Sequence, residues 1–161
     1  MWKKIVDFFN GRGSKVSQAV GKSILVVDDG EVELKFLSHT LEKRGYMVKT
    51  AKDGEEAFDL ANAGDYDLYL LDFCMPKMDG RELCEKLKKT AKTRDVPVIF
   101  LTGSANPTDL VNCYDAGAEY YLEKPIGAGA LIKQIEMIFS QLKDIGHTGQ
   151  QDIVDSPEDE D

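Results

Sequence analysis

Ile24-Leu25-Val26-Val27-Asp28-Asp29 is the stretch that decides the fold. Its four consecutive apolar residues show no in-out alternation, which is the pattern of a strand buried on both faces. Strands of that kind belong to parallel sheets covered by helices on each side. Leu68-Tyr69-Leu70-Leu71 has the same character, as does Val96-Pro97-Val98-Ile99-Phe100-Leu101, where Pro97 is tolerable at the strand's start. Met47–Ala51 and residues 120–122 read as shorter strands.

Helical patterns fill the intervals. Val32, Leu34, Phe36, Leu37 and Leu41 mark the first helix; Ala57, Leu60 and Ala61 mark the second, opened by Asp53. Leu83, Cys84 and Leu87 mark the third. Leu110, Val111 and Tyr114 mark the fourth, with Gly117 as its C-terminal stop. Leu131, Ile132, Ile135, Ile138, Phe139 and Leu142 mark the fifth, expected to end before Gly146. Five strands alternating with five helices predict an α/β fold with a doubly wound parallel sheet. Such sheets place their sites beyond the carboxyl ends of the strands.

Composition narrows the function. The chain has 161 residues, 20 Lys and Arg against 29 Asp and Glu, and a net charge of −9. An acidic chain lacks the basic surface that nucleic acid requires, so no nucleic-acid partner is expected. Three cysteines without C-x-x-C spacing argue against a disulfide framework or a zinc cage and for reduced thiols in a cytoplasmic setting. No apolar run approaches the ~20 residues of a membrane span. Residues 1–22 carry a net charge of +4, residues 23–143 of −6 and residues 144–161 of −7. Three segments follow: a basic N-terminal extension (1–22), one domain (23–143) and an acidic tail (144–161) too poor in apolar residues to order itself.

Within the domain, carboxylates collect at strand ends. Asp28 and Asp29 follow the first strand and Asp72 closes the third. In a 2-1-3-4-5 sheet those strands are neighbours, so the three acids converge. Their repulsion raises pKa values unless a cation intervenes, and an oxygen-ligating dication such as Mg²⁺ is the simplest remedy. Thr102 and Lys124 follow the fourth and fifth strands on the same rim. Three aspartates, one lysine and one dication sum to zero charge. A neutral pocket with open metal positions suits phosphoryl transfer, and a carboxylate can serve as the nucleophile.

Val26-Val27-Asp28-Asp29, the run from Leu71-Asp72 through Met75-Pro76 to Asp79-Gly80, Leu101-Thr102-Gly103 and Tyr121-Leu122-Glu123-Lys124-Pro125 resemble the receiver domain of two-component response regulators. The resemblance covers residues 23–143 and implies the flavodoxin-like order 2-1-3-4-5, known from chemotaxis receivers. It implies that Asp72 is the phosphoacceptor, supplied by a histidine kinase or phosphotransfer protein. Asp29 would ligate Mg²⁺ (or Mn²⁺) directly, Asp28 largely through water, and the Cys74 carbonyl would complete the protein's ligands. Lys124 would pair with the phosphate and Thr102 would donate to it. Tyr121 matches the aromatic that swings inward as the threonine moves, and the Lys124-Pro125 bond is cis in relatives. The implied function is that of a single-domain response regulator acting through phospho-dependent binding to an effector protein. It would be no enzyme beyond its own phosphorylation and dephosphorylation. A phosphate relay or sink without its own effector is the alternative.

Two positions depart from the family pattern. Gly30 replaces a residue often acidic or polar, which subtracts a charge from the rim, and Gly127 and Gly129 open the fifth helix without an acidic cap. Cys74, Cys84 and Cys113 read as inert, buried or half-buried thiols, Cys74 being notable for its place beside the acceptor. Residues 16–23 nearly match a phosphate-binding loop, but Val16 stands where glycine is needed and a strand follows. An aspartate-nucleophile phosphatase would want a second Asp where Cys74 stands. In the extension, Trp2, Ile5, Val6 and Phe9 share one helical face. So short a helix needs docking to be ordered, on its own domain, on a partner or on a second copy through residues 1–13. Stable membrane binding is not expected from so few residues.

Overall fold

The computed structural model describes residues 21–103 and 106–147. The helix expected within residues 1–13 and the tail beyond residue 147 lie outside the described residues.

Five strands alternate with five helices: β1 (Ser23–Val27), α1 (Glu31–Lys43), β2 (Met47–Ala51), α2 (Gly54–Ala63), β3 (Leu68–Asp72), α3 (Gly80–Lys89), β4 (Val98–Thr102), α4 (Pro107–Asp115), β5 (Tyr120–Glu123) and α5 (Ala128–His147). The strands pair in parallel in the order β2-β1-β3-β4-β5. Val27, Leu71, Phe100 and Tyr121 form one row across β1, β3, β4 and β5. One residue beyond that row, Asp28 and Asp72 emerge side by side.

Strand alternation sends residues to two cores. Leu25, Val27, Tyr69, Leu71, Val98 and Phe100 pack with side chains of α2, α3 and α4. Ile24, Val26, Leu68, Leu70, Ile99 and Leu101 pack with those of α1 and α5. Full burial contributes about 1.5–3 kcal/mol for each large aliphatic side chain, so the three central strands anchor both layers.

Helix starts are capped by sequence-local groups. Asp53, Asp79 and Asn106 each accept the backbone N–H three residues on, opening α2, α3 and α4. Gly117, at φ +96°, follows α4 as the sequence predicts. Among the described residues no helix is long and apolar enough to cross a membrane.

Several expectations need correction. In α1 the inward stripe is Leu34, Leu37 and Leu41, whereas Val32 and Phe36 lie on the adjoining face and are exposed. In α4 the buried side chain is Cys113; Val111 and Tyr114 are 56% and 54% exposed. The inward line of α4 runs through positions 110, 113 and 116, and the apolar residues one position off it face outward. Helix α5 continues through Gly146 to His147, so residues 144–147, assigned by the sequence to the unordered tail, are helical. A glycine in a helix costs about 1 kcal/mol relative to alanine, too little alone to end a well-packed helix. Cys74 is exposed, while Cys84 and Cys113 are buried.

Candidate functional site

Parallel register and strand length bring the acids together. Asp28 is 2% exposed and Asp72 8%. Ligand oxygens of Asp28, Asp29 and Asp72 all lie within 4.8 Å of one another, with Asp29 on the exposed side. The backbone holds Asp28 firmly: its N–H donates to the Ala51 carbonyl at 3.2 Å, and its Oδ1 accepts the Gly30 N–H at 2.8 Å.

Lys124 reaches the same place from the end of β5. Its Nζ donates to Asp28 Oδ2 at 2.7 Å and lies 3.5 Å from Asp72 Oδ1. Its N–H donates to the Thr102 carbonyl at 2.7 Å, fixing the end of β5 to the end of β4. The Lys124-Pro125 bond is cis, as the resemblance implies. Thr102 itself is 1% exposed at the tip of β4. Tyr121 is half-buried and packs against the α2-α3-α4 core, whereas its neighbour Tyr120 faces the other core and donates its hydroxyl to Gln141 Oε1 at 2.8 Å.

Electrostatics follow from this crowding. Burial, and next the charge of Asp28, push the Asp72 carboxyl up to about 6, with Lys124 opposing and Asp29 adding a smaller upward push. Burial acts to lower the Lys124 ammonium, but its hydrogen bond to Asp28 and the charge of Asp72 outweigh it and hold the ammonium above its ordinary value. Partial burial of the sulfur, then the charge of Asp72, raise the Cys74 thiol, which lowers its thiolate fraction and reactivity. One ammonium shared by converging carboxylates leaves the mouth short of positive charge. The donor set, all oxygen and partly open, fits a hard dication such as Mg²⁺.

The loop after Asp72 is tightly folded. Gly80 N–H donates to the Phe73 carbonyl at 3.0 Å, and a Cβ on Gly80 would overlap the Asp72 carbonyl oxygen. Met78 is buried against Gly54, where a Cβ would sit 2.8 Å from its sulfur. Asp79-Gly80 is thus both a helix start and a close approach. Its signal in the sequence is a glycine directly after a capping aspartate. A fourth carboxylate, Glu33, projects over Gly30 from the first turn of α1. The sequence reading did not single it out, although its i, i+4 spacing from Asp29 was visible.

Beside Lys124, a groove of about 460 Å³ is lined by Val32, Phe36, Leu101, Pro125 and Ile126 among others.

Residues 24–136 match the family model of the response regulator receiver domain. The chain is 37% identical over 115 residues to the response regulator MprA of Mycolicibacterium vanbaalenii, a match covering 71% of this chain and 49% of that protein. It is 34% identical over 115 residues to the DNA-binding dual master transcriptional regulator RpaA of Synechocystis sp., covering 71% and 48%. The chain therefore spans about half the length of these relatives. Among solved structures, the chemotaxis response regulator CheY4 of Vibrio cholerae superposes with a TM-score of 0.70 at 31% identity, covering 73% of this chain and 98% of that one. The receiver domain of the sensor histidine kinase PA1611 of Pseudomonas aeruginosa, with a magnesium ion coordinated in its active-site cleft, gives 0.67 at 31% identity, covering 76% and 97%.

Proposed function

The chain belongs to the response regulator receiver family, and from that premise we propose that Asp72 accepts a phosphoryl group from a histidine kinase or phosphotransfer protein and that the phosphorylated chain signals by binding an effector protein. The observation that carries the reading is the buried mouth in which the Lys124 ammonium lies between Asp28 and Asp72, with Asp72 held up to about 6.

An Asp72 carboxylate oxygen forms a bond to phosphorus as the phosphorus–nitrogen bond of the donor phosphohistidine breaks. The bonding pair goes to the ring nitrogen, which takes a proton from solvent. Lys124, already between Asp28 and Asp72, shifts toward the new phosphoryl oxygens. Asp28, Asp29, Asp72 and the Cys74 carbonyl would hold Mg²⁺, or Mn²⁺ in its place, which supplies positive charge against the phosphoryl oxygens.

The acyl phosphate carries a charge near −2 and three acceptor oxygens, more than the carboxylate it replaces. Thr102 is the nearby hydroxyl donor, and its movement makes room for Tyr121 to turn inward. Support for an output on this side comes from the exposed Val111 and Tyr114 of α4, next to β5 in the fold. Support for docking of a phosphodonor comes from the apolar groove beside Lys124. The relay alternative draws on the likeness to a receiver domain of a histidine kinase. A phosphoryl lifetime long enough to reach an effector favours the switch, and rapid loss or return to the donor favours the relay. The proposed setting is cytoplasmic. We assign no nucleic-acid contact to residues 23–143, whose net charge is −6; DNA binding belongs to the name of a relative about half of which this chain matches.

The test is incubation with acetyl phosphate, with and without Mg²⁺, read by intact-protein mass spectrometry. A Mg²⁺-dependent phosphoryl adduct, absent from Asp72→Asn, is expected. An adduct of equal yield on Asp72→Asn would overturn the assignment.

A further inference from the structure

Gly30 lacks a side chain at the rim of the acidic mouth, and the structure puts another residue's carboxylate in that space. A Cβ on Gly30 would overlap Glu33 Oε2 and would lie 3.1 Å from Asp28 Oδ1. Glu33 is therefore seated where an acidic side chain at position 30 would begin, one helical turn further along α1.

Its ordinary local role is already taken. A glutamate at the third position of a helix commonly reaches back to the N–H of the cap residue. Here the cap residue is Gly30, and its N–H is given to Asp28 Oδ1 at 2.8 Å. Among the described residues the Glu33 carboxylate makes no hydrogen bond or ion pair. Lys35, at the next turn's edge, pairs instead with Glu31 at 3.2 Å. Glu33 also lines the groove that contains Lys124. An unpaired carboxylate over Gly30, on the Asp28 edge of the aspartate cluster, is a cost in repulsion unless something cationic, or hydrogen-bond donors polarised by a cation, comes to meet it.

We propose that Glu33 is a positioning residue for the divalent-cation site, replacing from α1 the rim carboxylate that Gly30 omits and accepting hydrogen bonds from water held on the bound cation. The loss of charge expected from Gly30 is thus made good by Glu33. With Glu33 included, the mouth holds four carboxylates against one lysine, so the bound dication leaves it short of neutrality. Cation affinity should be raised relative to a three-aspartate site. This inference rests on the metal-site reading above.

The test is calorimetric titration of the unphosphorylated full chain with Mg²⁺ at fixed ionic strength, for the wild type, Glu33→Gln, and the double variant Glu33→Ala/Gly30→Asp. Glu33 is exposed, so circular dichroism should show all three folded. Outer-shell partners typically change metal affinity ~10–100-fold, and exposure reduces this, so Glu33→Gln should weaken Mg²⁺ binding about 3–10-fold. The double variant, which returns a carboxylate to the rim from position 30, should recover most of that loss. Wild-type affinity in Glu33→Gln, or a loss that Gly30→Asp does not restore, would overturn the inference alone. No Mg²⁺ binding by the wild-type chain would overturn the metal-site reading together with it.

Discussion

The two sides of the sheet are built differently. On one side α1 buries Leu34, Leu37 and Leu41, and α5 adds Leu131, Ile135, Ile138 and Phe139. On the other, α3 buries Leu83, Cys84 and Leu87, but α4, beside β5, has nine residues and buries one side chain, Cys113, while Val111 and Tyr114 face solvent. The contrast teaches where rigidity and motion can be placed. Asp28 and Asp29 extend from β1, which is sandwiched between β2 and β3 and covered by the thickly packed layer. Thr102 and Tyr121 belong to β4 and β5, next to the thinly packed α4. Segments with few buried apolar contacts open at lower free-energy cost. On the proposed reading, the fold can hold the chemistry still at the ends of β1 and β3 and let the response occur at the β4-α4-β5 edge.

The strongest way to break the comparison is by truncation. Leu41→Ala or Leu131→Ala should cost about 2–5 kcal/mol, because each empties a fully buried site. Tyr114→Ser and Val111→Ser should stay within about 0.5 kcal/mol, as exposed substitutions usually do. Urea denaturation of the four variants sets the buried stripes of α1 and α5 against the outer face of α4. Equal costs would abolish the distinction.

A second variant sharpens the boundary between the halves. Gly80→Ala places a Cβ against the Asp72 carbonyl, so either the loop after Asp72 or α3 must shift. A loss of about 1–3 kcal/mol is expected, typical of overpacking. Phosphorylation by acetyl phosphate should fall with it, which a remote packing defect would not cause.

An effect of similar size comes from the charge of Asp72. Its folded pKa is raised to about 6 from 3.8. The folded state thus binds the proton more tightly than the unfolded chain does. This group's contribution is most favourable below the unfolded value, declines as pH rises from about 4 to 6, and is a fixed penalty above that. Removing the charge by Asp72→Asn should stabilise the metal-free protein at pH 7 by about 1–3 kcal/mol and raise its melting temperature by several degrees. Mg²⁺ should raise the melting temperature of the wild type more than that of Asp72→Asn. A destabilised Asp72→Asn protein would contradict the electrostatic account of the mouth.

Much of this organisation was legible in the residues. The continuous apolar runs 24–27 and 68–71 read as strands buried on both faces, and the aspartates that end them sit where a doubly wound sheet places its site. Lys124 and Thr102 were legible for the same reason. What escaped was direction at finer grain. Val32, Phe36, Val111 and Tyr114 satisfy helical spacing, yet each lies one step off the buried stripe. A helix with five apolar residues does not announce which three face inward. Glu33 escaped because its placement depends on an absence: only the missing side chain of Gly30 lets its carboxylate lie over the mouth. The end of α5 escaped because Gly146 resembles a stop signal, while the packing of the preceding turns carries the helix past it.

Hydrogen exchange resolved by peptide, before and after acetyl phosphate with Mg²⁺, tests most directly the claim that one side holds the chemistry and the other gives the response. Changes in exchange should concentrate in residues 98–124, spanning β4, α4 and β5, while β1 and the buried turns of α1 and α5 stay as protected as before. In Thr102→Ala the adduct should still form and the change in that span should largely disappear. Changes spread evenly over both layers, or a full response in Thr102→Ala, would contradict the account.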